Sequence, residues 1–230
     1  FDSLHDAALT EAEAARTAFG RGRIAGATGP LGNSYRPDLM PDHDTAVALY
    51  AEIAAQLQTR CDLLLAETVA SVAHARAVND ALRGRGLPVW IALSVSDADG
   101  RLLRSGEPLE DALVHCGDAD ALLLNCSTPE VMPPALEILA QAGRPFGAYA
   151  NGFTMISDAF LKDQSTVAVL DKRADLTPEV YADHALRWAQ MGATIIGGCC
   201  ETGPAHIAAV GAALRAAGFA TGPEPQPLSA

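Results

Sequence analysis

The sequence predicts an α/β fold on a parallel sheet, either a βα barrel or a doubly wound sheet, and three observations carry that expectation. Short apolar runs alternate with helical stretches. Six strands are expected, beginning near Ile24, Leu63, Val89, Leu122, Phe146 and Thr194, with a helix before, between and after them. The runs, such as Leu63-Leu64-Leu65-Ala66, are continuous rather than alternating, as in strands covered on both faces. Polar residues and cysteines gather where the runs end, and in such proteins sites are assembled at that end of the sheet.

Taken in order, residues 3–19 read as an alanine-rich helix with Leu4, Ala8, Ala12 and Ala15 on its inner face. The first strand, Arg23 to Thr28, leaves through a Gly29-Pro30-Leu31-Gly32 turn, with Ser34, Tyr35 and Arg36 in the loop beyond. Residues 43–58 form a helix with Ala46, Leu49, Tyr50, Ile53 and Leu57 as its buried stripe. The strand 62–68 ends on Glu67, a carboxylate that either binds a substrate ammonium or braces a neighbouring loop. A helix over 70–85 and a strand from Pro88 to Val95 follow.

Asp97-Ala98-Asp99-Gly100 and Arg101 to Gly106 lack calcium-loop spacing and read as a solvated turn. A short helix runs from Pro108 to about Cys116, and the strand at Ala121 to Asn125 leads into a helix over 129–142. Pro133-Pro134 predicts an irregular start or a break there. The strand from Pro145 exits through Tyr149, either core or pocket, and Asn151, the better site candidate. Residues 153–176 read as a flap. The helix 178–191 turns Tyr181, Ala185 and Trp188 inward. Thr194 to Gly198 is the last strand and Pro204 to Ala217 the last helix. A poorly ordered tail is expected over 221–230, with its three prolines.

Composition narrows the function classes. A chain of 230 residues that is 49% hydrophobic can bury one substantial core in one domain. A net charge of -12 with no polybasic run argues against a nucleic-acid partner. No apolar run reaches the ~18 residues of a membrane span. Five cysteines at uneven spacing do not form a disulfide framework, so a reducing, cytoplasmic setting is expected, with Cys61 and Cys116 structural. The chain has no Gly-x-Gly-x-x-Gly fingerprint after the first strand and no phosphate-loop lysine, which weakens the nucleotide-binding sheet.

The chemistry concentrates at Ile195-Ile196-Gly197-Gly198-Cys199-Cys200-Glu201-Thr202-Gly203-Pro204, where a strand ends in two glycines and two thiols before a helix begins. Asn125-Cys126-Ser127-Thr128-Pro129 repeats that grammar on an earlier strand. Three thiolates with one coordination position left open are a catalytic zinc pattern, so Cys126, Cys199 and Cys200 are the expected Zn2+ ligands. His206 nearby is either a structural histidine or an outer partner of the metal. A barrel needs eight strands and about 250 residues. Because this chain opens on a helix, its first two βα units are expected to be absent. Such an unfinished edge would promote homo-oligomerisation.

Gly197-Gly198-Cys199-Cys200 with Pro204, His206 and Ile207, together with Asn125-Cys126 and Glu67-Thr68, resembles the zinc-dependent homocysteine S-methyltransferase family. Ala25-Gly26-Ala27-Thr28-Gly29-Pro30 and Tyr149-Ala150-Asn151-Gly152 are similar to further motifs of that family, which often has proline where Ala150 stands. The resemblance implies a (β/α)8 TIM barrel over residues 1–220, lacking the first two βα units and the Asp-Gly-Gly pocket segment of the opening strand. It implies zinc on Cys126, Cys199 and Cys200, the homocysteine ammonium on Glu67, and a substrate pocket that includes Thr28, Asn125, Tyr149 and Asn151.

The implied reaction moves a methyl group from a small onium donor to the zinc-bound thiolate of homocysteine, giving methionine. S-methylmethionine and S-adenosylmethionine are the first donors expected, with betaine or another onium compound as alternatives. Tyr35, Tyr149 and Phe153 are the aromatic side chains that could face a cationic methyl group. Two other readings stand beside this one: a redox or metal-binding thiol protein, and a non-catalytic barrel relic.

Overall fold

The computed structural model describes residues 2–154, 156, 160–162 and 170–222. Among the described residues seven helices and six strands alternate: α1 (Asp2–Phe19), β1 (Ala25–Thr28), α2 (His43–Leu57), β2 (Leu63–Val69), α3 (Val72–Leu82), β3 (Val89–Leu93), α4 (Leu109–Leu113), β4 (Ala121–Asn125), α5 (Met132–Leu139), β5 (Phe146–Tyr149), α6 (Pro178–Gln190), β6 (Ile195–Ile196) and α7 (Pro204–Ala216). Every strand pairs in parallel with the next, in the order β1-β2-β3-β4-β5-β6. Strand order never reverses. Right-handed crossovers therefore place all the helices on one face, whereas a doubly wound sheet needs a switch point. The result is an α/β fold with a six-stranded parallel sheet, the arrangement of a barrel wall.

The helix-facing layer of the strands makes the main core. Leu64, Ala66, Ile91, Leu93, Leu122, Leu124, Phe146 and Ala148 pack there against the helices. The opposite layer runs through Leu65, Trp90, Leu123 and Gly147 to Glu67, Asn125 and Tyr149, because side chains alternate along a strand. Asn125 and Tyr149 are register partners. Gly147 is fixed by space, since a Cβ there would run into the Ile195 carbonyl. That close approach lets β6 lie against β5.

Local signals account for most boundaries. Asp42 caps α2 by accepting from Thr45 N at 3.1 Å, and Ser71 caps α3 by accepting from His74 N at 3.2 Å. The Pro133-Pro134 irregularity is present: residues Pro129–Val131 and Ala140–Ala142 are 3-10 turns flanking a short α5. Tyr181, Ala185 and Trp188 are buried as expected. The helix beginning at 109 stops at Leu113, three residues early, and β6 is shorter than expected. The chain nevertheless continues alongside β5, with Gly197 N donating to Ala148 O at 3.1 Å and Cys199 N to Ala150 O at 3.0 Å.

Two buried faces differ from expectation. On α1, Leu4 is 75% exposed and Ala8 and Ala15 are also exposed, while Leu9 is buried. Leu9 enters the core with Ala12 packed beside it, and ion pairs to the neighbouring chain accompany that rotation. Arg60 pairs with Asp6 and Glu13, and Arg16 with Asp62. On α2, Leu49 is exposed and Ala54 takes its place in the core. No described helix is long and apolar enough to cross a membrane. The flap expected over 153–176 lies in large part outside the described residues, as does the tail beyond 222.

Candidate metal centre

The strand ends bring the three predicted cysteines together. The Sγ atoms of Cys126, Cys199 and Cys200 all lie within 4.8 Å of one another. Cys199 and Cys200 sulfurs are 3.9 Å apart. With Zn–S bonds of ~2.3 Å, a tetrahedral edge is about 3.8 Å, so the donor set fits a tetrahedral thiolate-bound ion. Cys126 is buried, Cys199 is partly buried and Cys200 is exposed. That gradient leaves an open side at the cluster.

Among the described residues, four non-glycine residues have left-handed backbone: Tyr35 (φ 64°), Thr68 (57°), Cys126 (51°) and Glu201 (63°). Cys126 directly follows β4, Thr68 lies at the register shift near the end of β2, Tyr35 is in the loop after β1, and Glu201 follows the double cysteine. Backbone of this kind persists only where its surroundings hold it. At Thr68, Asn125 does so: Thr68 N donates to Asn125 Oδ1 at 3.0 Å, and Asn125 Nδ2 donates to Thr68 Oγ1 at 3.2 Å. Asn125 thus organises the strand ends from below.

At the second corner, Gly198 has no room for a side chain, because a Cβ there would collide with Thr202. Thr202 Oγ1 closes the turn by donating to Cys199 O at 2.6 Å. Gly152 N donates to Cys200 O at 2.9 Å, which ties the β5 exit to the double cysteine. Tyr181 clamps the same two segments: its hydroxyl accepts from Ala150 N at 3.0 Å and donates to Gly197 O at 2.8 Å. His206 has a structural role. Nδ1 accepts from Gly203 N at 3.2 Å, capping α7, and Nε2 lies 3.2 Å from Leu176 O. Both ring nitrogens are occupied away from the thiols.

The thiols titrate as one system. Hydrogen bonds from Cys126 and then Cys199 pull Cys200 down to about 3. Cys199 is driven far up by Cys126, Cys200 and burial. At Cys126, lowering by the Cys199 thiol is outweighed by Cys200 and burial, leaving it near 11. One thiolate forms readily, and further negative charge needs a cation. A bound metal would supply that charge.

Beside the cluster, the Tyr149 hydroxyl donates to Glu67 Oε1 at 2.8 Å. Burial raises Glu67, the Tyr149 bond offsets part of this, and Cys200 adds to the rise. Thr28 Oγ1 and Asn151 Nδ2 are buried with no hydrogen-bond partner, although Asn151 Oδ1 accepts from Phe153 N at 3.2 Å. Thr28 is in register with Ala66, on the helix-facing layer.

The solvated turn expected at 97–106 is instead a brace. Arg104 pairs with Asp97 and donates from Nη2 to the Cys126 carbonyl at 2.9 Å. Sequence reasoning missed both residues. A signal was available, since Asp99-Gly100 between Val95 and Leu103 is a hairpin cue, and those two residues form an antiparallel bridge. Tyr35 is buried under the same guanidinium, 4.8 Å from ring centre to Cζ, so one face of the ring is taken.

Strands in sequential order with a three-thiol cluster at their C-terminal ends define a thiol-centred α/β protein on a parallel sheet. The family model described as Homocysteine S-methyltransferase matches residues 1–214, and the chain belongs to that family. Its relatives include Homocysteine S-methyltransferase 4 of Zea mays, 26% identical over 163 residues, covering 69% of this chain and 46% of the maize protein. Selenocysteine methyltransferase of Astragalus bisulcatus is 25% identical over 187 residues, covering 78% of this chain and 51% of its own. Among solved structures, the apo Homocysteine Methyltransferase MmuM from Escherichia coli superposes with a TM-score of 0.69 at 25% identity, covering 92% of this chain and 73% of that one. The chain spans about half the length of the two plant relatives.

Proposed function

We propose that this protein transfers a methyl group from a small onium donor to the thiol of homocysteine, or to a related thiol or selenol amino acid, at a zinc ion held by Cys126, Cys199 and Cys200. The observation that carries the reading is the convergence of three sulfurs within 4.8 Å at the ends of two strands, in a chain of this family. Names of relatives mention both homocysteine and selenocysteine, which motivates the acceptor class. In this reading the six strands are the third to eighth of an eight-stranded barrel, of which residues 1–220 form a part.

Bound zinc would hold the acceptor as a thiolate at neutral pH, where a free thiol is mostly protonated. Glu67 would receive the amino acid's ammonium, which relieves the buried carboxylate of its unpaired charge. Tyr149 fixes the carboxylate through Oε1 and leaves Oε2 for the ammonium. Asn125 holds Thr68 in place between Glu67 and Cys126. Asn151 offers an unpaired amide N–H to the substrate. S-methylmethionine and S-adenosylmethionine are the donors to test first, with betaine as the contrast.

The test is zinc content together with product formation from homocysteine and each donor. One zinc per chain and methionine from at least one donor support the proposal; absence of both overturns it. Glu67→Gln should raise KM for the amino acid roughly 10–100-fold, the loss of one charged hydrogen bond. A second reading follows from β1 and β6, which do not pair with each other among the described residues. A metal-binding barrel relic would bind homocysteine tightly and demethylate no donor.

A further inference from the structure

Arg104 stands on the connection between β3 and α4, and its guanidinium meets four groups at once, Nε donating to Ser94 Oγ on its own connection at 3.4 Å. It is bidentate on Asp97, Nη1 to Oδ2 at 2.7 Å and Nη2 to Oδ1 at 3.0 Å. Nη2 also donates to the Cys126 carbonyl at 2.9 Å. Its face covers the Tyr35 ring, and the Cys126 thiol lies near enough to the Tyr35 phenol to add to the upward push that burial gives it. Asp97 completes the circuit, since Oδ1 accepts from Thr128 N at 2.9 Å. The ion pair therefore grips the chain at the carbonyl of Cys126 and at the amide two residues later. It does so where φ is 51°.

An ion pair that served only its own loop would have no cause to direct an N–H at the carbonyl of another strand end. Nor would it cover a phenol that lies near a thiol. Arg104 and Asp97 side chains are only 11% and 20% exposed, so the contacts are partly shielded from water. Only a planar fork can serve two carboxylate oxygens, a carbonyl and a ring face together; a lysine ammonium cannot.

We propose that Arg104 is a positioning residue of the thiol cluster. With Asp97 it holds Cys126 in its left-handed turn, and through Tyr35 it sets a phenol against the Cys126 sulfur. The buried thiolate is thereby aimed at the two from the β6 corner. This deepens the metal-centre reading above and rests on it.

The test uses cobalt(II) bound to the purified protein, with zinc affinity from chelator competition. Thiolate-to-cobalt charge transfer and d–d bands report the number and geometry of sulfur ligands, which a purely structural role would not move. Arg104→Gln and Arg104→Lys should each lose roughly 10–100-fold in metal affinity, with weaker charge transfer and shifted d–d bands. Tyr35→Phe should keep affinity within a few-fold and shift the charge-transfer band alone; an unshifted band overturns the phenol's part. If Arg104→Gln does not fold, Arg104→Lys and Asp97→Asn carry the same readouts.

Wild-type affinity and spectrum in a folded Arg104→Gln protein overturn the proposal. So does full restoration by lysine, which would reduce the role to charge. A wild-type protein that binds neither cobalt nor zinc overturns this proposal and the proposed function together. Binding by wild type with an indistinguishable Arg104→Gln overturns this one alone.

Discussion

The two strand ends that supply the thiols are built by different means. At the β4 end, Cys126 is 6% exposed and its surroundings are side chains: Asn125 through Thr68, Arg104 with Asp97, and Tyr35. At the β6 end, Cys199 and Cys200 sit on a turn shaped by Gly198, their own backbone being the group held: Gly152 N donates to Cys200 O and Thr202 Oγ1 to Cys199 O. One corner is fixed by a polar network in a shielded place. The other is shaped by glycines and stands open. A site that must bind an ion firmly and still admit a substrate can divide the two tasks in this way.

The largest effect should come from removing the thiols themselves. Cys126→Ser, Cys199→Ser and Cys200→Ser should each abolish stoichiometric metal binding, measured by metal content after dialysis. Retention of one tightly held ion by any of the three would show that its sulfur is not a ligand.

The comparison is sharpened next by alkylation of the metal-free protein. Cys200 is exposed and drawn down to about 3, whereas Cys126 is buried and sits near 11. Cys200 should therefore be modified first, and its rate should fall away at lower pH than that of an ordinary thiol. Cys126 should react orders of magnitude more slowly. Peptide mass spectrometry across pH reads both, and a Cys200 rate rising tenfold per unit up to pH 9 would contradict the cluster's electrostatics.

A smaller effect isolates the open corner. Gly198→Ala forces a methyl group into the Thr202 side chain and should cost about 1–3 kcal/mol in chemical denaturation. It should also weaken metal binding while leaving the Tyr35 environment unchanged by fluorescence or NMR. Unaltered stability would mean that the turn has slack. The smallest effect is expected for His206→Ala, about 1 kcal/mol from the lost cap of α7, with the metal spectrum retained. A changed spectrum would return His206 to the metal's outer shell.

These corners also show how far the sequence could be read. The double cysteine after two glycines and Asn125-Cys126 after an apolar run are local patterns, and a parallel sheet puts such strand ends side by side. Cys126, Cys199 and Cys200 could therefore be grouped before any coordinates. Glu67 and Tyr149 were each visible as strand-end polar residues, but their bond to one another depends on strands that are 82 positions apart.

By itself the sequence determined six strands, their alternation with helices and the family motifs, because periodicity, capping and turn residues act within a few positions. Tertiary structure alone decided that Leu4 faces water, since only the folded chain seats Leu9 rather than Leu4 in the core and brings Arg60 to the same helix. It alone decided that Asp97 and Arg104 brace Cys126 rather than dissolve in a solvated turn. Charged residues read as surface in a linear sequence; only a folded chain places a guanidinium between a carboxylate, a carbonyl and a ring, where each partner offsets the cost of removing it from water.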